Sequence, residues 1–140
     1  MGRGDESIAL KRDVYANSSC LDPGDALTVL LNLVYGLRDH GLYAEAVSLV
    51  RGKFAATCRK YGRDHTEVVR LCWTYGAALC AQEGASRDDM IEGLALLEDA
   101  CKRSRRIFGA DHQITIVYDG DLRKARARVA HFFPEAAGAP

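Results

Sequence analysis

Residues Tyr61–Glu67 read YGRDHTE, and Phe108–Ile114 read FGADHQI. Both begin with an aromatic residue, a glycine, any residue, an aspartate and a histidine. An Asp beside a His twice in one chain invites a reading as a catalytic dyad or a metal site. It also fits a joint that recurs because the structure recurs. Gly62 and Gly109 can take the left-handed backbone that closes a helix. Asp64 and Asp111 can accept from the first free N–H groups of the helix that follows. Glu67 stands three residues after Asp64, as in a capping box. His65 and His112 then fall in the first turn and pack over the joint. Asp22, followed by Pro23 at a first helical position, has the same logic. On this reading Asp22, Asp64, Asp111, Gly62 and Gly109 are structural caps. Catalysis needs a base, a nucleophile and an oriented cleft. A metal needs several converging ligands. The two pairs sit on separate joints, so no enzyme activity, catalytic residue, metal or cofactor is expected.

The chain between the joints has helical spacing. Leu27, Leu30, Leu33, Val34 and Leu37 share one helix face. Val69, Cys72, Tyr75, Gly76 and Leu79 repeat that pattern. Ala46, Leu49, Val50 and Phe54 form another stripe, which Ile91, Leu94, Leu97 and Cys101 repeat. Ile114, Val117, Leu122, Ala125, Val129 and Phe132 form the last. No alternating β-branched run stands between turn residues, so strands are unsupported. The spacing predicts about six helices, over residues 5–19, 23–39, 43–60, 65–82, 88–107 and 112–132. Short connections favour antiparallel neighbours.

The joints also measure a repeat. The helix starts at Asp22, Asp64 and Asp111 lie 42 and then 47 residues apart. The extra five residues fit the loop 85–89. With that insertion, Glu45-Ala46 superposes on Glu92-Gly93, and Tyr61-Gly62 on Phe108-Gly109. The unit is a helical hairpin that cannot bury its apolar face alone but can when stacked. These features resemble tetratricopeptide repeats, most closely the long repeats of kinesin light chains. The matching elements are Gly62-Arg-Asp-His65, Gly109-Ala-Asp-His112, Asp25-Ala-Leu-Thr-Val-Leu-Leu-Asn32 and Gly41-Leu-Tyr43-Ala-Glu45-Ala46. The resemblance covers about residues 8–130. Thr74 and Asp121 replace Asn32 in the later units, and Arg123 stands where a small residue normally lets helices pack closely.

The resemblance implies an all-α fold of antiparallel helix hairpins, stacked as a short right-handed tetratricopeptide-like solenoid. Residues 1–22 would be the second helix of a preceding repeat. Repeat 1 would cover 23–62, repeat 2 would cover 63–109, and a terminal capping helix 110–133. Residues 134–140 would be a disordered tail.

Composition narrows the functional classes. Lys plus Arg equals Asp plus Glu, so no net field points to nucleic acid or membrane. The longest apolar run, around Ala26–Leu31, is too short to span a bilayer. The polar, acidic start is unlike a signal peptide. Five cysteines with no CxxC pair read as small core residues of a reduced, cytoplasmic protein. In that setting Arg3-Gly4-Asp5 and Asn17-Ser18-Ser19 carry no adhesive or glycosylation meaning.

The resemblance implies a protein-interaction module whose first helices form a concave, peptide-binding groove. Asn32, Tyr35, Arg38, Arg70, Trp73, Thr74, Lys124 and Arg128 fall on that face. Asn32 would bond peptide backbone, because a carboxamide both donates and accepts. Arg38, Arg70, Lys124 and Arg128 would attract acidic side chains or a carboxylate. Tyr35 would give flat apolar contact. Trp73 has two readings, groove anchor or core between hairpins. The expected partner is a protein or peptide with acidic residues, and exposed repeat ends allow self-association. A competing reading uses the basic runs 102–106 and 123–128 for nucleic acid or an anionic surface. Neither run is interleaved with aromatic residues, and such runs also suit a helix end or a solvated terminal repeat.

Overall fold

The computed structural model describes residues 3–137. Helices make up all the regular structure of those residues. They are α1 (Arg3–Ala16), a 3-10 turn (Ser18–Cys20), α2 (Pro23–Asp39), α3 (Tyr43–Arg51), α4 (Phe54–Tyr61), α5 (Thr66–Ala81), α6 (Arg87–Phe108), α7 (Gln113–Phe132) and α8 (Pro134–Ala137). The chain is an all-α, tetratricopeptide-like solenoid. α2 pairs with α3, and α5 with α6. α7 packs on both helices of the second pair, and α1 packs on α2.

α5 is the keel. Nearly its whole length is buried, because it has neighbours on every side. Val68, Leu71, Ala78 and Leu79 join a cluster with Ile8, Leu30, Leu37 and Val50. Val69, Cys72, Trp73 and Cys80 join a second cluster with Leu97, Cys101, Tyr118 and Leu122. Two layers of apolar side chains thus share one helix, which is how stacked hairpins bury what a single hairpin cannot.

The hairpin α5/α6 closes at a glycine crossing. A Cβ added at Gly76 would lie 2.8 Å from the Gly93 carbonyl oxygen, and one at Gly93 would lie 2.6 Å from Cys80 Sγ. Only hydrogen fits between these backbones. The rear helices carry a repeating tie. Arg12 on α1 forms a two-pronged ion pair with Glu45 on α3, at 2.6 and 2.9 Å. Arg51 on α3 reaches Glu92 on α6 at 3.0 Å. Glu45 and Glu92 are the residues that the repeat superposes.

The structure departs from the sequence expectation in three helices. The expected first helix ends at Ala16 and continues only as a 3-10 turn, after Asn17 Nδ2 has bonded the Asp13 carbonyl. The expected helix over 43–60 breaks at Gly52 and Lys53. Lys53 has φ −123°, outside the helical range, and glycine weakens a helix interior at this point. The expected disordered tail starts with a helical turn, Pro134–Ala137, tied by Glu135 to Arg87 at 3.5 Å. Residues 138–140 of that tail, and residues 1 and 2, lie outside the described residues.

The joints work differently from the Asp-cap expectation. His65 and His112 themselves occupy the N-cap positions. Their Nδ1 atoms accept from the backbone N–H of Glu67 and of Ile114, each at 3.1 Å. An accepting Nδ1 fixes the neutral tautomer with its proton on Nε2. The aromatic of each copy packs on the capping ring, Tyr61 on His65 at 5.5 Å and Phe108 on His112 at 5.0 Å. Gly62 and Gly109 have φ of 86° and 94° with extended ψ, a conformation that essentially only glycine tolerates. Asp64 is drawn away from the helix start by Arg103 and Arg106, each at 2.6 Å. The two guanidiniums, Arg106 first, hold its carboxyl below the ordinary range. Asp111 is exposed and caps nothing. Asp22 sits at the N-cap of α2 with no side-chain bond to the helix, and its carbonyl accepts from Ala26 N–H instead.

Candidate functional site

α2, α5 and α7 line one trough. Trp73 and Tyr118 form its ridge. Their rings are stacked with centroids 4.6 Å apart and planes 15° from parallel. The Arg38 guanidinium lies over Trp73 at 4.7 Å and over Tyr35 at 5.5 Å. A planar cation over an indole face is held by the ring quadrupole and still offers its edge donors to a ligand.

The ridge divides the trough into two cavities. The larger, about 620 Å³, lies between the C-terminal half of α2, the middle of α5 and α7. Arg38, Lys124 and Arg128 supply its cations, Asp39 and Asp121 its carboxylates, and Ala77, Cys80 and Val117 its apolar wall. Asp39 already pairs with Arg38 at 3.2 Å. Among the described residues Lys124 has no carboxylate partner, and Arg128 lies over the Phe132 ring at 5.2 Å. The smaller cavity, about 400 Å³, is walled by Tyr35, Arg70, Trp73, Tyr118 and the first turn of α7. Burial pushes the Tyr35 and Tyr118 phenols above their ordinary value, so both stay neutral hydrogen-bonding groups.

The eight expected groove residues divide as follows. Arg38, Trp73, Lys124 and Arg128 line the larger cavity, and Tyr35, Arg70 and again Trp73 line the smaller. Asn32 is exposed on α2 but borders neither cavity. Thr74 does not reach the trough. It is fully buried, and its hydroxyl donates to the Arg70 carbonyl at 2.9 Å. Leu31, which the helix spacing places on the same open face of α2, is 2 % exposed and belongs to the core. Trp73 belongs to the core and also lines the trough. It is 8 % exposed, sandwiched between the Arg38 guanidinium and the Tyr118 ring, and it is among the residues that line both cavities. Sequence reasoning missed Tyr118 and Val117. The available signal was their position three and four residues before Asp121, on the same helical face.

The arginines of the run 102–106 are all paired, and Arg126 is the paired cation of the run 123–128 among the described residues. Arg103 pairs with Asp64 and with Asp99, Arg105 with Asp119 at 2.8 Å, Arg106 with Asp64 and Arg126 with Glu98 at 3.2 Å. The three inner cysteines are buried in the core. Burial pushes the Cys72 and Cys101 thiols up to about 12 and Cys80 to about 11. Among the described residues no group of three or more metal-ligating side chains converges, and no helix is long and apolar enough to cross a membrane.

No curated protein and no solved structure matches the chain. A tetratricopeptide repeat family model matches residues 85–114, which cover α6 and the joint into α7 that carries the second aromatic-Gly-x-Asp-His copy.

Proposed function

We propose that the chain is a scaffold that holds an extended segment of a partner protein along the trough of α2, α5 and α7. Tetratricopeptide repeats in general are protein–protein interaction modules without chemistry of their own. The observation that carries the finer reading is the Arg38–Trp73–Tyr118 stack standing between two cavities, beside Lys124 and Arg128, which form no ion pair among the described residues. The buried rings hold the Arg38 guanidinium in place, and guanidinium edges select carboxylates. The partner segment is therefore acidic. Asn32, beyond the trough rim, would bond its backbone as it leaves. The repeat is of the kinesin light chain type, on the strength of the joint and of Asn32, and its setting is cytoplasmic. Ile116 on α7 and Leu10 on α1 are exposed apolar residues that would serve self-association.

The arginines of the run 102–106 already hold carboxylates, and in the run 123–128 Arg126 does, which counts against a continuous nucleic-acid surface. Asp64 and His65 serve different neighbours, which counts against a catalytic dyad. The test is affinity capture from a cell extract with wild type and with the triple variant Arg38→Glu, Lys124→Glu, Arg128→Glu. The expected result is loss of the same partners from a variant with unchanged helicity and melting temperature. Equal recovery by both proteins would remove the trough from consideration.

A further inference from the structure

The break between α3 and α4 has no counterpart in the second unit, where α6 runs unbroken from Arg87 to Phe108. It opens a separate trough of about 450 Å³ between the 3-10 turn, the first turns of α2, and α4. Gly52 and Lys53, the residues of the break, form part of its wall. Leu27 and Leu30 form its floor, and Leu21, 39 % exposed, its side. Two ammonium groups stand over it. Lys53 Nζ lies 5.7 Å from the Tyr15 ring and Lys60 Nζ 5.6 Å from the Tyr61 ring. No carboxylate lines the trough. Among the described residues neither ammonium makes an ion pair, whereas most arginines of α6 do.

We propose that this trough is a second docking site, and that it takes a short acidic peptide segment of a partner, with a large apolar side chain between carboxylates. The complementarity is twofold. A purely polar anion would leave Leu21 and Ala56, the exposed apolar side chains of its wall, uncovered. A purely apolar segment would cover the lysines without pairing them, and desolvating an unpaired charge is costly. A basic or neutral polar segment satisfies neither requirement. The Ser18 and Thr57 hydroxyls already donate to the Tyr15 and Lys53 carbonyls, and the two lysines are the cationic donors that the trough offers an anion. This site meets α2 at its N-terminal turns, whereas the groove of α2, α5 and α7 meets it at Arg38 and Asp39. A partner could occupy both.

The test is an NMR titration of the full chain with the probe peptide acetyl-Glu-Leu-Leu-Glu-amide, alongside acetyl-Lys-Leu-Leu-Lys-amide and sodium dodecanoate. The acidic peptide should shift the amides of Lys53, Lys60 and Leu27, and the basic peptide should not. Lys53→Glu with Lys60→Glu should weaken it about tenfold, given up to about fivefold for each exposed ion pair. The milder pair Lys53→Gln, Lys60→Gln should give a smaller loss in the same direction. Arg38→Glu with Lys124→Glu should leave these shifts intact, so this site and the groove stand or fall separately. Three results would overturn the proposal: no shift, shifts confined to the groove of α2, α5 and α7, or binding of dodecanoate without binding of the acidic peptide.

Discussion

Gly93→Ala places a methyl group where α5 and α6 cross. The new Cβ would lie 2.6 Å from Cys80 Sγ, 2.8 Å from the Gly76 carbonyl oxygen and 3.1 Å from Leu79 Cβ. The thiol can rotate away, but the carbonyl is helix backbone and cannot. The two helices must therefore separate, and the apolar layer between them loosens. Overpacking of this kind costs about 1–3 kcal/mol, and the backbone contact puts this case at the upper end. Alanine recovers about 1 kcal/mol over glycine in helix propensity. The net loss is about 2 kcal/mol, or about 6 °C in melting temperature for a chain of this size. Gly120→Ala is the internal control. It lies inside α7, and its added Cβ would meet nothing within 4 Å. It should therefore show the propensity gain alone, about 0.5–1 kcal/mol of stabilisation. Thermal unfolding followed by circular dichroism measures both. If Gly93→Ala melts at or above wild type, as Gly120→Ala should, the glycine crossing does not set the spacing of the hairpin.

Three further outcomes follow from the joints and the core. His65→Ala and His112→Ala should each cost about 1 kcal/mol by removing an N-cap acceptor, whereas Asp111→Ala should leave the denaturation midpoint unchanged. Trp73→Ala should cost about 3–5 kcal/mol in urea unfolding, because Trp73 belongs to the core as well as to the trough. Stability should also fall at alkaline pH. Burial holds the Cys72 thiol up to about 12, above the value near 9 at which the unfolded chain ionises. Its contribution is complete below pH 9. Between pH 9 and 12 only the unfolded state loses the proton, so stability declines by about 1.4 kcal/mol per pH unit for this group. The slope should be shallower in Cys72→Ala, and a pH-independent difference between the two proteins would refute the assignment.

The sequence carried the periodicities well and the local substitutions poorly. The apolar stripes placed α2, α5, α6 and α7 within a residue or two, because each is long and buries one regular face. The break at Gly52 was invisible, since the stripe of Ala46, Val50 and Phe54 continues through it while Lys53 leaves the helical range. Both copies of the Asp-His motif lie between two helices, with the histidine and not the aspartate bonding the helix start. Asp64 was assigned to the cap because aspartate is a strong N-cap residue, yet Arg103 and Arg106 lie about 40 residues away and bind it more strongly in three dimensions. His65, left without competition, bonds the helix start. Spacing on an ideal helix put Thr74 and Leu31 on the open face. Neighbouring helices on a second side bury both. The cations of the trough were legible because they project to solvent, whereas the Trp73–Tyr118 stack depends on two helices meeting and has no signature in either one.

The most direct test of the interaction reading is site-specific photocrosslinking of the captured partner. A photoreactive amino acid at Val117 would stand between the two cavities of the trough, where the native side chain is 44 % exposed. The same group at Ser48 would stand on the exposed side of α3, at the rear of the stack. A partner lying along α2, α5 and α7 should crosslink from Val117 and not from Ser48, and Arg38→Glu with Lys124→Glu should abolish the product. Crosslinking from Ser48 alone, or equally from both positions, would contradict a peptide held in the trough.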